Sequence, residues 1–140
     1  MRDSEAQGHW RLIEFPTIEQ FEGCLTFLEG ARLVPFEIKR VYYIYSVPLG
    51  AMRSGHAHRN LKQVLVPVAG SFNVVLDNGS RTETITLAQP HVGLSVSKMV
   101  WRRIEAFSSG AVCVVLASTH YDEADYIRNY DDFIAEAKLR

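Results

Sequence analysis

Apolar and polar residues alternate in short runs along most of the chain, the period of a β-strand with one face on a core. Residues 39–47 (KRVYYIYSV) are aromatic or β-branched almost throughout, and 61–68 (LKQVLVPV) and 71–76 follow closely. Asp77-Asn78-Gly79 is the strongest hairpin signal, because the central residues of a tight turn must accept positive φ. Residues 81–87 (RTETITL) then form the expected return strand, with Thr and Glu on one face. Further strands are expected at 92–96, 100–107 and 111–117. The last of these, AVCVVLA, is apolar without a break and suits a strand covered on both faces. In 121–140 the period changes: Tyr126, Ile127, Tyr130, Phe133, Ile134 and Ala137 recur at helical spacing. The pattern predicts an all-β jelly roll of two facing sheets, with one amphipathic C-terminal helix or two short ones packed outside. Residues 1–9 lack any such pattern and are expected to be a disordered or tag-like leader, leaving 10–140 as a single domain.

Composition narrows the function classes. A chain of 140 residues is long enough to bury a core, and an apolar fraction of 47% is ordinary for a soluble protein. A net charge of −1 argues against a general nucleic-acid or membrane surface, although a local basic pocket is compatible with it. No apolar run approaches a membrane span or a signal core. Cys24 and Cys113 each stand among apolar neighbours and are expected to be buried, reduced thiols in a cytoplasmic protein.

The chemistry concentrates between Gly50 and Gly70, which read G-x5-H-x-H-x4-Q-x6-G with His56, His58 and Gln63 inside. Two histidines one residue apart on a strand share a face. The spacing resembles the first cupin motif, so the roll is expected to be a cupin-type β-barrel. In metal-binding cupins a glutamate stands where this chain has Gln63. The second cupin motif ends in a histidine ligand; here 97–102 (SKMVWR) puts Arg102 in that place, without the motif's proline and glycine. Arginine offers a metal no lone pair, and two histidines alone make a poor site. No metal or other cofactor is therefore expected. Two imidazoles and a guanidinium instead suit proton abstraction beside a carbonyl, which needs a base and a charge stabiliser. A His-x-His pair can also be a hydrogen-bonded feature of an ordinary strand; the full Gly-to-Gly spacing favours the functional use.

Several segments together resemble the nucleotide-sugar 3,4-ketoisomerases. They are 35–43 (PFEIKRVYY), 53–58 (RSGHAH) with 62–64 (KQV), 76–79 (LDNG), 100–102 (VWR) and 115–130 (VLASTHYDEADYIRNY), and the resemblance spans about residues 11–138. It implies a metal-free cupin that dimerises by exchanging N-terminal strands and binds a dTDP-linked 4-keto-6-deoxyhexose in the barrel. The implied reaction moves the ketone of dTDP-4-keto-6-deoxy-D-glucose from C4 to C3, towards dTDP-3-amino-3,6-dideoxyhexoses. By position, His56 is the implied base at C3, hydrogen-bonded to Tyr42, and His58 faces the same cavity. Arg102 and Tyr42 are candidates for stabilising the enediolate or relaying protons. Arg40, Arg53 and Lys62 are candidates for the pyrophosphate, each with the alternative of a solvated surface cation. Gln63 is counted with the substrate-binding residues, and Trp101 either borders the site or fills the core. Arg102 matches the members giving the gluco product, whereas Glu22 departs from the aromatic or arginine usual at its position. His91 and His120 are expected to be structural or surface residues, and Asp122, Glu123 and Asp125 helix-start charges. Two other function classes stay open: a non-catalytic sugar-nucleotide binding module and a metal-dependent cupin enzyme.

Overall fold

In the computed structural model, which describes residues 6–140, the alternating runs become strands β1 (Trp10–Glu14), β2 (Thr17–Gln20), β3 (Gly23–Thr26), β4 (Arg40–Ile44), β5 (Arg53–His58) and β6 (Gln63–Ala69). They continue as β7 (Phe72–Asp77), β8 (Thr82–Leu87), β9 (Val92–Val96), β10 (Trp101–Glu105), β11 (Val112–Ala117) and the short β12 (Tyr126–Ile127). One helix, α1 (Tyr130–Leu139), ends the chain. Two antiparallel sheets face each other, in the orders β1-β9-β6-β11-β4 and β12-β5-β10-β7-β8, while β2 and β3 form a separate hairpin. This is the all-β, cupin-type jelly roll with a short C-terminal helix.

Period-two geometry sorts the side chains into layers. Leu65, Phe72, Val74, Leu76, Leu94, Val96, Cys113 and Val115 fill the space between the sheets. Val64, Val66 and Leu116 point the other way, and Val34 and Phe36 of the preceding segment cover them with Phe15. That second layer explains the unbroken apolar run at 111–117. On the opposite sheet, α1 packs Phe133 against Ala57, Met99 and Ile127. Asn129 caps the helix, its side-chain oxygen accepting from Asp132 N at 2.9 Å.

Residues 8 and 9 of the expected leader are paired with the roll. Residues 1–5 lie outside the described residues, but Gly8 N donates to Lys98 O, Ser97 N donates to His9 O and His9 N donates to Ser97 Oγ. Backbone pairing of this kind leaves no mark on side-chain hydropathy. Cys113 is buried as expected, and its thiol is pushed up to about 12 by burial. Cys24 is a correction: it is exposed, because β3 stands off the roll in a hairpin with no layer over it.

Gly50 and Gly70, which bracket the histidine motif, both take positive φ, +82° and +66°. At Gly70 a Cβ would lie 2.5 Å from Ser108 Oγ and 2.8 Å from Ala111 Cα. Left-handed strain of about 1–2 kcal/mol and overpacking of about 1–3 kcal/mol act together there. Gly70→Ala is expected to lose roughly 3 kcal/mol in a denaturant titration, and an unchanged midpoint would refute the close packing.

Candidate active site

One part of the space between the sheets is not filled. Inward positions of β4 (Arg40, Tyr42, Ile44), β6 (Gln63, Leu65), β10 (Arg102, Ile104) and β11 (Val115) surround a cavity of about 470 Å³, together with His56 of β5. Met52, Arg53, Arg103, Tyr126 and Arg128 complete the lining. The same alternation that builds the apolar core thus carries polar residues inward at this end.

Arg102 is the anchor of the polar wall. It is 2% exposed; its Nε donates to Val100 O at 3.0 Å and its Nη1 to Gln63 Oε1 at 2.5 Å. With its oxygen so engaged, Gln63 turns its Nε2 to Tyr42 Oη, at 2.9 Å. Burial lowers the pKa of Arg102 to about 10, so the guanidinium stays charged at neutral pH. Burial also raises that of Tyr42, which keeps its hydroxyl protonated. Tyr42 Oη accepts from Gln63, leaving its own proton for a group in the cavity. Arg102 Nη2 is buried without a hydrogen-bond partner among the described residues, as are Nε and Nη2 of Arg40.

His56 lines the cavity and stands opposite Arg102 in the β5–β10 register. His58 points to the same side of β5 but is fully buried behind it, with Nδ1 3.0 Å from Asp125 Oδ2. The expectation that His58 faces the cavity is thereby corrected: strand period fixes a face, not a depth. The two imidazoles meet edge-on at 4.9 Å, and Tyr126 packs on His56 at 5.3 Å and on His58 at 4.4 Å. Burial, then the charges of Arg102 and His56, hold the His58 pKa far below the usual histidine range.

Asp125 corrects a second expectation. Asp122 does cap the short 3₁₀ turn at Glu123–Asp125, accepting from Ala124 N. Asp125, however, is buried and serves β5 instead of the turn. Glu123 holds Arg128 with two contacts of 2.9 Å, and Arg128 in turn lies over the Tyr126 ring at 4.2 Å.

Five arginines line the cavity (Arg40, Arg53, Arg102, Arg103 and Arg128), and no carboxylate appears among the described lining residues. Such a wall attracts an anion strongly despite the near-neutral chain. Arg40 and Arg53, the diphosphate candidates, both line this cavity, with Arg40 also 5.2 Å from the Tyr42 ring centre. Lys62 is not among the lining residues; its backbone bridges to Ser118. Trp101 fills a core instead, against Tyr130 and Phe133, and a Cβ at Gly55 would lie 2.6 Å from its indole nitrogen. Glu22 is exposed at the turn joining β2 and β3 and does not line this cavity.

Arg103, Tyr126 and Arg128 were missed. Arg128 and Tyr126 lie in a stretch whose helical spacing points to packing, and Arg103 follows Arg102 on a strand, where alternation sends it outward. The donor set does not suit a metal: Gln63 is engaged at both ends, His58 is tied to Asp125, and a guanidinium stands beside His56.

The fold and the cavity define a cupin-type jelly-roll protein with an arginine-rich cavity beside an imidazole. More narrowly, the chain belongs to the family described as FdtA: WxcM-like, C-terminal, whose sequence model matches residues 8–138. It is 47% identical over 123 residues to the TDP-4-oxo-6-deoxy-alpha-D-glucose-3,4-oxoisomerase of Aneurinibacillus thermoaerophilus, covering 88% of each chain. The solved structure of QdtA, a sugar 3,4-ketoisomerase of Thermoanaerobacterium thermosaccharolyticum in complex with TDP, superposes with a TM-score of 0.91 at 46% identity. That match covers 94% of this chain and 96% of QdtA. WlaRB, a TDP-quinovose 3,4-ketoisomerase from Campylobacter jejuni, matches at 44% identity and a TM-score of 0.87, over 90% of this chain and 97% of its own.

Proposed function

We propose that the protein is a sugar-nucleotide 3,4-ketoisomerase that converts dTDP-4-keto-6-deoxy-D-glucose to dTDP-3-keto-6-deoxy-D-glucose. The observation that carries this reading is the facing pair of His56 and Arg102 in one arginine-rich cavity. His56 takes the C3 proton, made acidic by the C4 ketone. The electron pair forms the C3–C4 double bond, and the C4 oxygen becomes an enediolate. Arg102 and the Tyr42 hydroxyl stabilise that oxygen. Protonation of the C4 oxygen and of C4, with loss of the O3 proton, then places the ketone at C3 and a hydroxyl at C4. Every proton removed is returned, so the reaction needs no external oxidant or reductant. Arg40 and Arg53, joined by Arg103 and Arg128, supply the positive charge for the diphosphate.

The gluco product is favoured: Arg102 stands at the position tied to configuration, and WlaRB is named for quinovose, which is 6-deoxyglucose. Dimerisation through N-terminal strands is supported by the apolar surface that a single chain leaves open. Ile18, Phe21 and Leu25 of the β2–β3 hairpin are exposed, as are Val41 and Tyr43 along the edge strand β4 and Tyr45 just beyond it. Glu22 would then lie at the partner's surface. No helix among the described residues is long and apolar enough to cross a membrane, and a nucleotide-sugar substrate supports the reading of a cytoplasmic enzyme.

Incubation with dTDP-4-keto-6-deoxyglucose in deuterated water tests the proposal. Deuterium should enter at C3 and C4, and the proton spectrum of the product should show the gluco configuration. Binding without any exchange would instead mark a non-catalytic sugar-nucleotide module.

A further inference from the structure

We propose that Asp125 is a positioning residue for the histidine pair: its carboxylate fixes His58 as the neutral tautomer protonated on Nδ1, and that fixed ring holds His56 in place. The inference rests on the reading of His56 as the base. Asp125 lies next to β12, where Tyr126 pairs with His58 of β5. Its Oδ1 accepts from Asn60 N at 2.7 Å; its Oδ2 accepts from Leu61 N at 3.3 Å and meets His58 Nδ1 at 3.0 Å. An ionised carboxylate is acceptor only and can serve all three groups as donors, so the His58 proton belongs on Nδ1.

The other nitrogen decides the charge. His58 Nε2 is buried without a hydrogen-bond partner among the described residues, and a proton there would be a buried, unpaired donor. The charges acting on the ring from other elements oppose protonation as well. They come from Arg102 on β10, Arg40 on β4 and Arg128 beyond β12, with His56 on its own strand. Tyr126 closes the remaining side with a neutral ring. Asp125 supplies the negative charge, but it does so as an acceptor for a neutral imidazole.

The consequence falls on His56. Its ring rests edge-on against His58 at 4.9 Å and 88°. A cationic His58 would repel the imidazolium that forms when His56 takes a proton. A rotated His58 would remove the surface that orients the base. Either change acts on the chemical step more than on binding.

The test compares the uniformly 15N-labelled protein with its Asp125→Asn variant by long-range proton–nitrogen correlation of the imidazoles, beside steady-state kinetics. In the variant, the amide oxygen keeps the bond from Asn60 N while its NH₂ faces His58, so the proton should move to Nε2. Wild type should show a protonated Nδ1 and a bare Nε2 at neutral pH. The variant should show the reverse, with kcat lower by about tenfold to a hundredfold and KM within about threefold. A wild-type His58 protonated on Nε2, or on both nitrogens, would overturn the proposal. So would an inverted tautomer with undiminished kcat. The wild-type spectrum needs no variant to fold and reports the tautomer whether or not the protein isomerises a sugar, so it is separable from a failure of the deuterium experiment.

Discussion

Asparagine in place of His56 should give a folded protein that binds the dTDP-sugar within about tenfold of wild type and turns it over at least roughly a hundredfold more slowly. The expectation comes from what each group can do. Asparagine approximates the size of imidazole and can hydrogen-bond, but it cannot accept a proton at neutral pH. Histidine is the side chain whose ring can take up and release a proton in the neutral range. His58 cannot take over the task, because it is fully buried and its Nδ1 is engaged by Asp125. The diphosphate-binding charge is untouched, since all five cavity arginines remain. Single-turnover assays with deuterium exchange at C3 provide the measurement. Near-wild-type exchange would mean that the base lies elsewhere, with Tyr42 the first to examine.

Strand alternation made much of this architecture legible beforehand, and the failures have physical causes. From 61 to 117 each strand has a core face, so hydropathy marks it clearly. The Asp77-Asn78-Gly79 hairpin formed as expected, but its loop is longer: Asn78 N bonds Arg81 O, and Asn78 Oδ1 accepts from Ser80 N and Arg81 N. The return strand therefore begins at Thr82. The β2–β3 hairpin had no such marking, because its apolar residues face away from this chain's core. The same cause misplaced Cys24: apolar neighbours indicate burial only where a second layer covers them.

The site divides along similar lines. Arg40, Tyr42, His56, Gln63 and Arg102 come together because each occupies an inward position of its strand, which period two can report. Depth along a face is another matter, and His58 shows it. Asp125 was hidden for a different reason. Three acids at the start of a turn look alike in sequence, and only the pairing of β12 with β5 separates the one that reaches inward. Tyr126 and Arg128 follow from the same pairing. For Lys62 the alternative of a surface cation is the one its position favours, since it neighbours the inward Gln63 and is not among the lining residues.

Replacing Arg102 with methionine should separate activity from stability. The guanidinium is buried against neutral partners, Val100 O and Gln63 Oε1, and makes no ion pair among the described residues. Removing a charged group of that size from water costs several kcal/mol even after the protein relaxes, roughly. Methionine is unbranched, of similar length, and carries no such penalty. Its own cost is the lost donors to Val100 O and Gln63 Oε1, about 1–3 kcal/mol each. The two effects oppose each other, so the thermal midpoint should match or exceed that of wild type. Catalysis has no such compensation. A fixed cation beside a developing enediolate is the kind of donor whose loss lowers kcat by about a hundredfold to a thousandfold. Calorimetry and deuterium exchange on the same preparation measure both quantities. A midpoint that collapses while exchange persists would make Arg102 a strut of the barrel and shift the stabilisation of the enediolate to Tyr42. If exchange is lost in a protein at least as stable, then the barrel keeps a buried cation it does not need for folding, and the reaction is the reason it is there.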